Sequence, residues 1–412
     1  MNRKNFIILL IFVLSLLFSC CWGPKEKADS EIFTSIEPME WSEDYVFSAT
    51  NSPSSIQIWD SKTNKLVKDI SLVIGKRCIT IVDMAVLEKS VWLIGYGISY
   101  NLIRIDIETG KVEYINFSYD GYRSRPYRIQ AISKEEDGVG TLWVKSYGNA
   151  KNGTLFACYN VDGTLRDCFP IETDIENTPM SAVYHNNKYY LLGTSLSDVL
   201  VGNQEQESYS LINLSDKTVI KLKNTVFFDK EFFENEYEGI NIKKFISNAM
   251  IYDKDILSLN IVTGYISENE RRIVDKCLYK IKSYSPFEAE YLGMKFENKS
   301  IIDIFQNDNF YYVLLSSYEN PENKNGFGLL EIDKNNKNVS KFVIIPHANS
   351  YYIAHQKIDT KEYSWISINK YKDSENDSII QEICKLDHET GRVFVYSEVG
   401  TERELSYTDV SE

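Results

Sequence analysis

Three arginines alternate with tyrosines in one short segment of the chain. Tyr122 precedes Arg123, Arg125 follows two residues later, and Tyr127 precedes Arg128. Guanidinium groups bind carboxylates and phosphates through paired hydrogen bonds, and flat aromatic rings stack on sugars and other planar groups. We predict from these five residues a binding site for an anionic or sugar-like ligand. The alternative left open is that the arginines pair with surface acids and that Arg128 points into an interface within the fold.

Residues for enzyme chemistry form no comparable pattern. The four histidines are far apart and lack the spacing of metal ligands, at His185, His347, His355 and His388. The chain has no Gly-x-Ser-x-Gly elbow, no phosphate-binding Gly-Lys-Ser loop and no His-Glu-x-x-His motif. We therefore expect no catalytic residues that the sequence can name, no metal and no cofactor. A pair of carboxylates from separate segments stays open, because such residues need not be close in sequence.

The N-terminal segment predicts export. Arg3 and Lys4 precede an apolar run over residues 6–18, which is short for a membrane span and typical of a signal peptide. Leu17-Phe-Ser-Cys20 resembles a bacterial lipobox, whose cysteine is diacylated and becomes the mature N-terminus. The resemblance implies a signal peptide over 1–19 and lipidation of Cys20, followed by a flexible tether over 20–34. An ordinary signal peptide and an uncleaved anchor are the alternatives.

The charge of the chain limits its partners. The formal net charge is −14, and loss of Arg3 and Lys4 with residues 1–19 changes it to −16. Such a surface disfavours nucleic acid and anionic lipid headgroups. We expect a monomer that the lipid holds at a membrane of the bacterial cell envelope, either on the periplasmic or on the surface side, with a protein or a glycan as partner.

Two cysteines flank a predicted turn. Cys158 and Cys168 lie on either side of Asp162-Gly163. A three-residue connection would place them opposite each other on paired strands, within reach of a disulfide bond. A register changed by one residue would send them to opposite faces of the sheet. Both arrangements remain open.

A turn sequence recurs along the chain and predicts the architecture. Asp106-Ile-Glu-Thr-Gly-Lys111 returns closely at 60–65 and 387–392, and loosely at 160–164, 213–217, 279–286 and 333–337. An aspartate at the start can bond the backbone two residues on, and glycine supplies the left-handed conformation that closes a hairpin. Hairpins spaced about 46 to 69 residues apart in a β-rich chain are typical of a propeller.

We therefore predict an all-β fold, a β-propeller of seven four-stranded blades over 35–400, with six or eight blades as alternative counts. Pro38 weakens the innermost strand expected for the first blade, so the tail over 401–412 is interpreted as a strand that closes the ring. The turns at 60, 106 and 387 resemble those of quinoprotein-like and YVTN-type repeat propellers. The segment Glu136-Asp-Gly-Val-Gly-Thr-Leu-Trp143 resembles the Asp-Gly-x-Leu-Trp turn of two-component-regulator propeller repeats.

These resemblances imply a fold and not a cofactor, because Tyr114 and Phe394 stand where the quinoprotein pattern has tryptophan. Long polar loops are expected between the second and third strands of the blades, over 194–207, 264–275, 316–326 and 370–378. They would share one face with the arginine segment. We expect a non-enzymatic binding or scaffold module. A glycan hydrolase or lyase with a site at the channel mouth, and an assembly factor for envelope proteins, are the alternatives.

Overall fold

The computed structural model divides the chain into two units, Met1–Ile36 and Glu37–Glu412. It describes residues 39–42, 44–51, 54–74, 77–78, 80–96, 100–119, 122–132, 140–146, 153–172, 181–194, 207–227, 249–252, 255–265, 272–297, 299–317, 326–346, 353–358, 361–373, 376–390, 392–397 and 402–405. All of them belong to the second unit. The predicted signal peptide, Cys20 and the tether lie outside these residues. Within these ranges, no helix has the length and apolarity needed to cross a membrane.

The first four blades are antiparallel sheets of four consecutive strands. Blade one has β1 (Met39–Trp41), β2 (Tyr45–Asn51), β3 (Ser54–Asp60) and β4 (Leu66–Ser71), and a hairpin of β5 (Val73–Ile74) and β6 (Arg77–Cys78) follows. Blade two has β7 (Thr80–Leu87), β8 (Ser90–Tyr96), β9 (Tyr100–Asp106) and β10 (Val112–Ile115), and a hairpin of β11 (Ser118–Tyr119) and β12 (Tyr122–Arg123) follows. Blade three has β13 (Pro126–Ile132), β14 (Thr141–Ser146), β15 (Thr154–Tyr159) and β16 (Leu165–Ile171). Blade four has β17 (Val183–His185), β18 (Lys188–Thr194), β19 (Glu207–Asn213) and β20 (Thr218–Lys223).

The remaining three blades continue this order, and the last gains a fifth strand. Blade five has β21 (Ala249–Tyr252), β22 (Ile256–Tyr265), β23 (Arg272–Tyr284) and β24 (Phe287–Glu297). Blade six has β25 (Lys299–Gln306), β26 (Phe310–Ser317), β27 (Gly326–Asp333) and β28 (Val339–Pro346). Blade seven has β29 (Ile353–Ile358), β30 (Lys361–Asp373), β31 (Asn376–Asp387), β32 (Val393–Ser397) and β33 (Glu402–Leu405). The prediction of an all-β propeller is confirmed.

Side chains of the middle strands point alternately to the two faces of each blade and form the core between neighbouring blades. In β8 every residue from Ser90 to Gly95 is buried, because both faces of the sheet are covered. Val91 and Leu93 pack into the cluster shared with blade one, whereas Trp92 and Ile94 pack into the cluster shared with blade three. Because successive side chains of a strand point to opposite faces, β8 contributes to the interfaces of blade two with both blade one and blade three.

The recurring turns have the geometry that their sequence predicts. The Asp106 carboxylate accepts hydrogen bonds from the backbone and hydroxyl of Thr109, both at 2.7 Å. Gly110 has a φ of +72°, in the left-handed region. The Asp60 and Asp387 carboxylates likewise accept backbone N–H groups of their own turns. These hairpins join the third and fourth strands of their blades.

Blades one and seven meet without a chain connection between them. Val46 and Trp59 of blade one form a buried cluster with Trp365 and Ile383 of blade seven, and the innermost strands β1 and β29 are in contact. The Lys385 ammonium donates hydrogen bonds of 2.9 Å to the Ser61 carbonyl and to Asn64 Oδ1. Side-chain packing and this lysine therefore join the two ends of the ring.

Two expectations about particular segments are wrong, and the register of blade three decides between two alternatives that the sequence left open. The tail strand β33 pairs with β32 on the outside of blade seven, not with blade one, and β1 forms directly after Pro38. The expected loop over 370–378 is mostly strand, since β30 and β31 pair as far as Asp373 and Asn376. In blade three, Cys168 pairs with Ala157 while Cys158 pairs with Asp167, so the register differs by one residue from the one a disulfide needs.

The two cysteines consequently lie on opposite faces of the sheet. Cys158 packs in the cluster between blades three and four, and Cys168 packs against the cluster between blades two and three. Neither cysteine forms a disulfide bond. The candidate disulfide between Cys158 and Cys168 is therefore absent from this fold.

Candidate functional site

Three innermost strands share a β-bulge near their first residues. The bulges lie between Ile81 and Asp83 in β7, between Pro126 and Arg128 in β13, and between Ile301 and Asp303 in β25. A bulge adds twist and turns the following side chain in a new direction. The residue after each bulge is charged: Asp83, Arg128 and Asp303. Because innermost strands border the central channel of a propeller, we call Asp83, Arg128 and Tyr127, which lie close together on blades two and three, the channel-mouth group.

Asp83 connects two innermost strands. Its Oδ2 accepts a hydrogen bond of 3.1 Å from the Ile129 N–H in blade three, and its Oδ1 accepts one of 3.1 Å from the Met84 N–H. Burial raises the pKa of the carboxyl to about 6, although the Arg128 charge and the two N–H groups act in the opposite direction. Asp83 keeps some accessible surface while protein surrounds it, as expected beside a narrow channel.

Tyr127 and Arg128 form the cationic side of the group. The guanidinium carbon of Arg128 lies 4.5 Å from the centre of the Tyr127 ring, within the range of a cation–π interaction. Both side chains are partly buried. A carboxylate acceptor, a guanidinium donor and an aromatic face therefore meet on the innermost strands of two adjacent blades.

Of the other three residues of the predicted arginine site, only Arg125 has a described side chain. Arg125 is exposed and precedes the buried Pro126. Tyr122 and Arg123 belong to β12, whose backbone pairs with Tyr119 and Ser118, but their side chains lie outside the described part of the structure. The structure thus brings together Tyr127 and Arg128 and sets Arg128 beside an acid of the neighbouring blade. Whether the five residues bind a ligand together remains a prediction.

Further side chains hold neighbouring innermost strands together. The Gln130 amide accepts a 2.7 Å hydrogen bond from the Ala182 N–H and donates one of 3.0 Å to the Ala182 carbonyl. Ser181 Oγ accepts the Ile251 N–H at 3.4 Å. These side-chain hydrogen bonds connect neighbouring blades, whose sheets share no backbone hydrogen-bond ladder among the described strands. They hold in place the strands that carry the channel-mouth group. Sequence reasoning missed Asp83 and Gln130, because only the bulges and the ring order place them together.

His388 has a packing role instead of a ligand role. The imidazole is buried at the junction of blades six and seven, 5.1 Å from the ring centres of both Phe305 and Tyr312. Its Nε2 lies 2.8 Å from Ser364 Oγ. Among the described residues, no three histidine, cysteine or acidic side chains are grouped so as to hold a metal ion.

Comparisons with known proteins give likenesses of fold only. No protein-family model matches the chain, and no curated protein matches it. Among solved structures, the β-propeller domain of Cps50 (Swd1) from Myceliophteria thermophila has 10% identity over 88% of this chain and 96% of that chain, with a TM-score of 0.46. Hydrazine synthase from Kuenenia stuttgartiensis has 11% identity over 89% and 96%, with a TM-score of 0.49. A protein of unknown function from Bacteroides caccae has 13% identity over 70% and 89%, with a TM-score of 0.35.

Proposed function

We propose that this protein is a lipid-anchored, non-enzymatic binding module of the bacterial cell envelope that takes a glycan at the mouth of its central channel. The propeller fold is consistent with a binding or scaffold module. The observation that carries the proposal is the meeting of Asp83, Tyr127 and Arg128 on bulged innermost strands. The proposed anchor rests on the lipobox-like sequence that ends at Cys20.

The chemistry of the channel-mouth group suits a sugar. Sugar hydroxyls both donate and accept hydrogen bonds, so they can use a carboxylate and a guanidinium together. A tyrosine ring offers an apolar face to the C–H groups of a pyranose. Because Asp83 opposes the Arg128 charge, the group favours a hydroxyl-rich glycan over a strongly anionic ligand. Arg125, exposed two residues before Tyr127, would contact the outer part of such a ligand.

One observation favours an enzyme as the second candidate. The raised pKa of Asp83, about 6, lies in the range of a general acid for glycoside cleavage. Asp303, which occupies the same bulge position in blade six, would supply the second carboxylate. Turnover of a bound glycan that is lost in Asp303→Asn would support the enzyme, whereas binding without turnover would support the module.

A glycan array that includes peptidoglycan fragments tests the proposal with the full-length protein. Wild type is compared with Arg128→Ala and with Arg166→Ala, an exposed arginine on β16 that serves as the matched control. We expect saturable binding by wild type and Arg166→Ala, and signals reduced about tenfold in Arg128→Ala, equivalent to roughly 1.4 kcal/mol. Circular dichroism confirms that each variant is folded. A wild-type protein that binds no glycan would overturn this function and direct the search to a protein partner.

The arginine hairpin and the anchor are tested separately. A double variant, Arg123→Ala with Arg125→Ala, should weaken glycan binding less than Arg128→Ala, because these residues lie outside the channel-mouth group. Mass analysis of the mature N-terminal peptide should find a diacylated Cys20, and Cys20→Ser should release the protein from membranes. An unmodified Cys20 in a membrane-bound protein would refute the lipid anchor without affecting the glycan site.

A further inference from the structure

Lys276 is a buried lysine with an unusual environment. Its side chain is 9% exposed, and within the described residues it has no hydrogen bond and no ion pair. Its Nζ is not among the fully enclosed side-chain atoms of those residues that lack a hydrogen-bond partner, so we infer that the tip keeps some contact with solvent. A buried amine without a partner is rare, because burying a charge is costly unless it is paired.

The position of Lys276 on its strand places the side chain on an apolar face of blade five. The residue lies on β23, opposite Asn260 of β22 and Phe296 of β24. Successive side chains of a strand point to opposite faces, so the neighbouring Asp275 lies on the other face and cannot pair with the amine. Leu278, two residues on, packs in the apolar cluster between blades five and six, and Phe296 packs against the same cluster. Lys276 therefore faces an apolar interface.

This environment changes the acid–base chemistry of the amine. Burial lowers the pKa of Lys276 to about 8, and burial is the only cause of the shift. The change favours the neutral amine, which has a free lone pair on nitrogen. At pH 8 about half of the Lys276 side chains are neutral, whereas an ordinary exposed lysine is neutral in fewer than about one molecule in a hundred.

We propose that Lys276 is a carbonyl-reactive site that captures a small aldehyde or ketone as a reversible imine. The geometry that supports this is an amine that has no hydrogen bond or ion pair with the described residues, whose stem lies against an apolar interface and whose tip reaches solvent. The Nζ lone pair attacks the carbonyl carbon, the amine protons pass to the carbonyl oxygen, and that oxygen leaves as water while a C=N bond replaces the C=O bond. Water reverses the reaction, and no oxidant or reductant is needed.

The apolar surroundings select the carbonyl compound. Phe296 and the cluster between blades five and six favour an aromatic or short aliphatic aldehyde over a charged one. The site lies on the third strand of blade five, whereas the channel-mouth group is on innermost strands. The two proposals are therefore independent, and either can fail alone.

Reductive trapping tests the proposal on the full-length protein. Benzaldehyde and cyanoborohydride are added at pH 8, and the labelled lysines are quantified by peptide mass spectrometry. Lys276 is compared with Lys280, which is 3.6 Å from Asp255, and with Lys282, which pairs with Glu290. We expect Lys276 to be labelled about tenfold faster than either, since far more of it is neutral.

Two further measurements keep the test decisive. Lys276→Met should remove the fast label, while Lys282→Met should leave it unchanged. If Lys276→Met does not fold, the labelling rate of Lys276 in the wild-type protein is measured against pH, and its midpoint should lie near 8. Labelling of Lys276 no faster than that of Lys282, or a midpoint above 10, would overturn the proposal.

Discussion

Lys385 and Lys276 are both buried lysines on the third strands of their blades. Their surroundings differ: Lys385 lies between blades seven and one, and Lys276 lies between blades five and six. The Lys385 ammonium donates to the Ser61 carbonyl and to Asn64 Oδ1, and it lies 4.4 Å and 4.8 Å from the ring centres of Tyr363 and Trp365. Lys276 faces an apolar cluster instead. We infer from this difference that Lys385 stabilises its blade junction, because the next blade supplies acceptors, and that Lys276 does not.

The junction of blades two and three repeats the Lys385 arrangement. Arg104 stands two residues before the turn aspartate Asp106 and opposite Trp92, as Lys385 stands two residues before Asp387 and opposite Trp365. Its guanidinium donates at 3.4 Å to the Val161 carbonyl in the turn of the next blade. Equivalent contacts therefore occur between blades two and three, which are consecutive in the chain, and between blades seven and one, which are not.

Removal of the Lys385 charge should have the largest effect on stability. Lys385→Met removes the hydrogen bonds that the Ser61 carbonyl and Asn64 Oδ1 accept at the junction between the first and the last blade, which are not consecutive in the chain. We expect the free energy of unfolding to fall by about 3 kcal/mol. Urea denaturation measures this change. Lys62→Met, which removes an exposed ion pair with Asp44, is the control and should change stability by less than about 0.5 kcal/mol. Equal effects of the two substitutions would refute the role of Lys385 in closure.

The corresponding substitution in the apolar junction should have the opposite sign. Lys276→Met replaces a buried amine, which has no hydrogen bond or ion pair with the described residues, with an apolar side chain of similar length. We therefore expect the free energy of unfolding at pH 7 to rise by about 2 kcal/mol. Urea denaturation of both proteins at one pH measures the change. A destabilised Lys276→Met protein would show that the amine has a stabilising partner after all.

The pH dependence of that gain follows from the pKa of Lys276. The folded value of about 8 lies below the ordinary value of 10.5, so between these pH values the folded state holds fewer protons than the unfolded state. Stability of the wild-type protein therefore rises with pH through this window, and the cost of burial is fully present below pH 8. The advantage of Lys276→Met should shrink to less than about 1 kcal/mol at pH 10.5, as denaturation of both proteins across the window would reveal. A constant advantage would contradict the assigned pKa.

Among these three buried or half-buried cations at blade junctions, Arg104 should have the smallest effect. Its contact with Val161 is longer, and blades two and three are also joined by the chain. Arg104→Met should lower the free energy of unfolding by about 1 kcal/mol. A loss as large as that of Lys385→Met, in the same urea experiment, would show that the chain connection contributes little to a junction.

Local sequence was sufficient to predict the turns and hence the propeller. Asp106 and Gly110 lie four residues apart and form one turn, so the conformation of this turn does not depend on packing against distant residues. The register of blade three could not be predicted, because a bulge between Cys158 and Tyr159 shifts it by one residue. A bulge has no strong sequence signal when it lacks glycine.

The candidate sites depend on contacts between blades, which sequence spacing does not reveal. Asp83 lies 46 residues before its bonding partner Ile129, and Lys385 lies 324 residues after Ser61. Arg128 was predicted because it stands among tyrosines, but its neighbour Asp83 was not. Lys276 resembles many other lysines of the chain, and only the face it occupies on β23 distinguishes it.

Titration calorimetry with a glycan selected on the array tests the central functional claim most directly. Wild-type protein and Arg128→Ala are titrated in the same buffer, with Arg166→Ala as the folded control. Glycan binding at the channel mouth predicts one saturable site per chain and an affinity about tenfold lower in Arg128→Ala. An unchanged affinity in a folded Arg128→Ala protein would contradict the claim and place any glycan site elsewhere on the propeller.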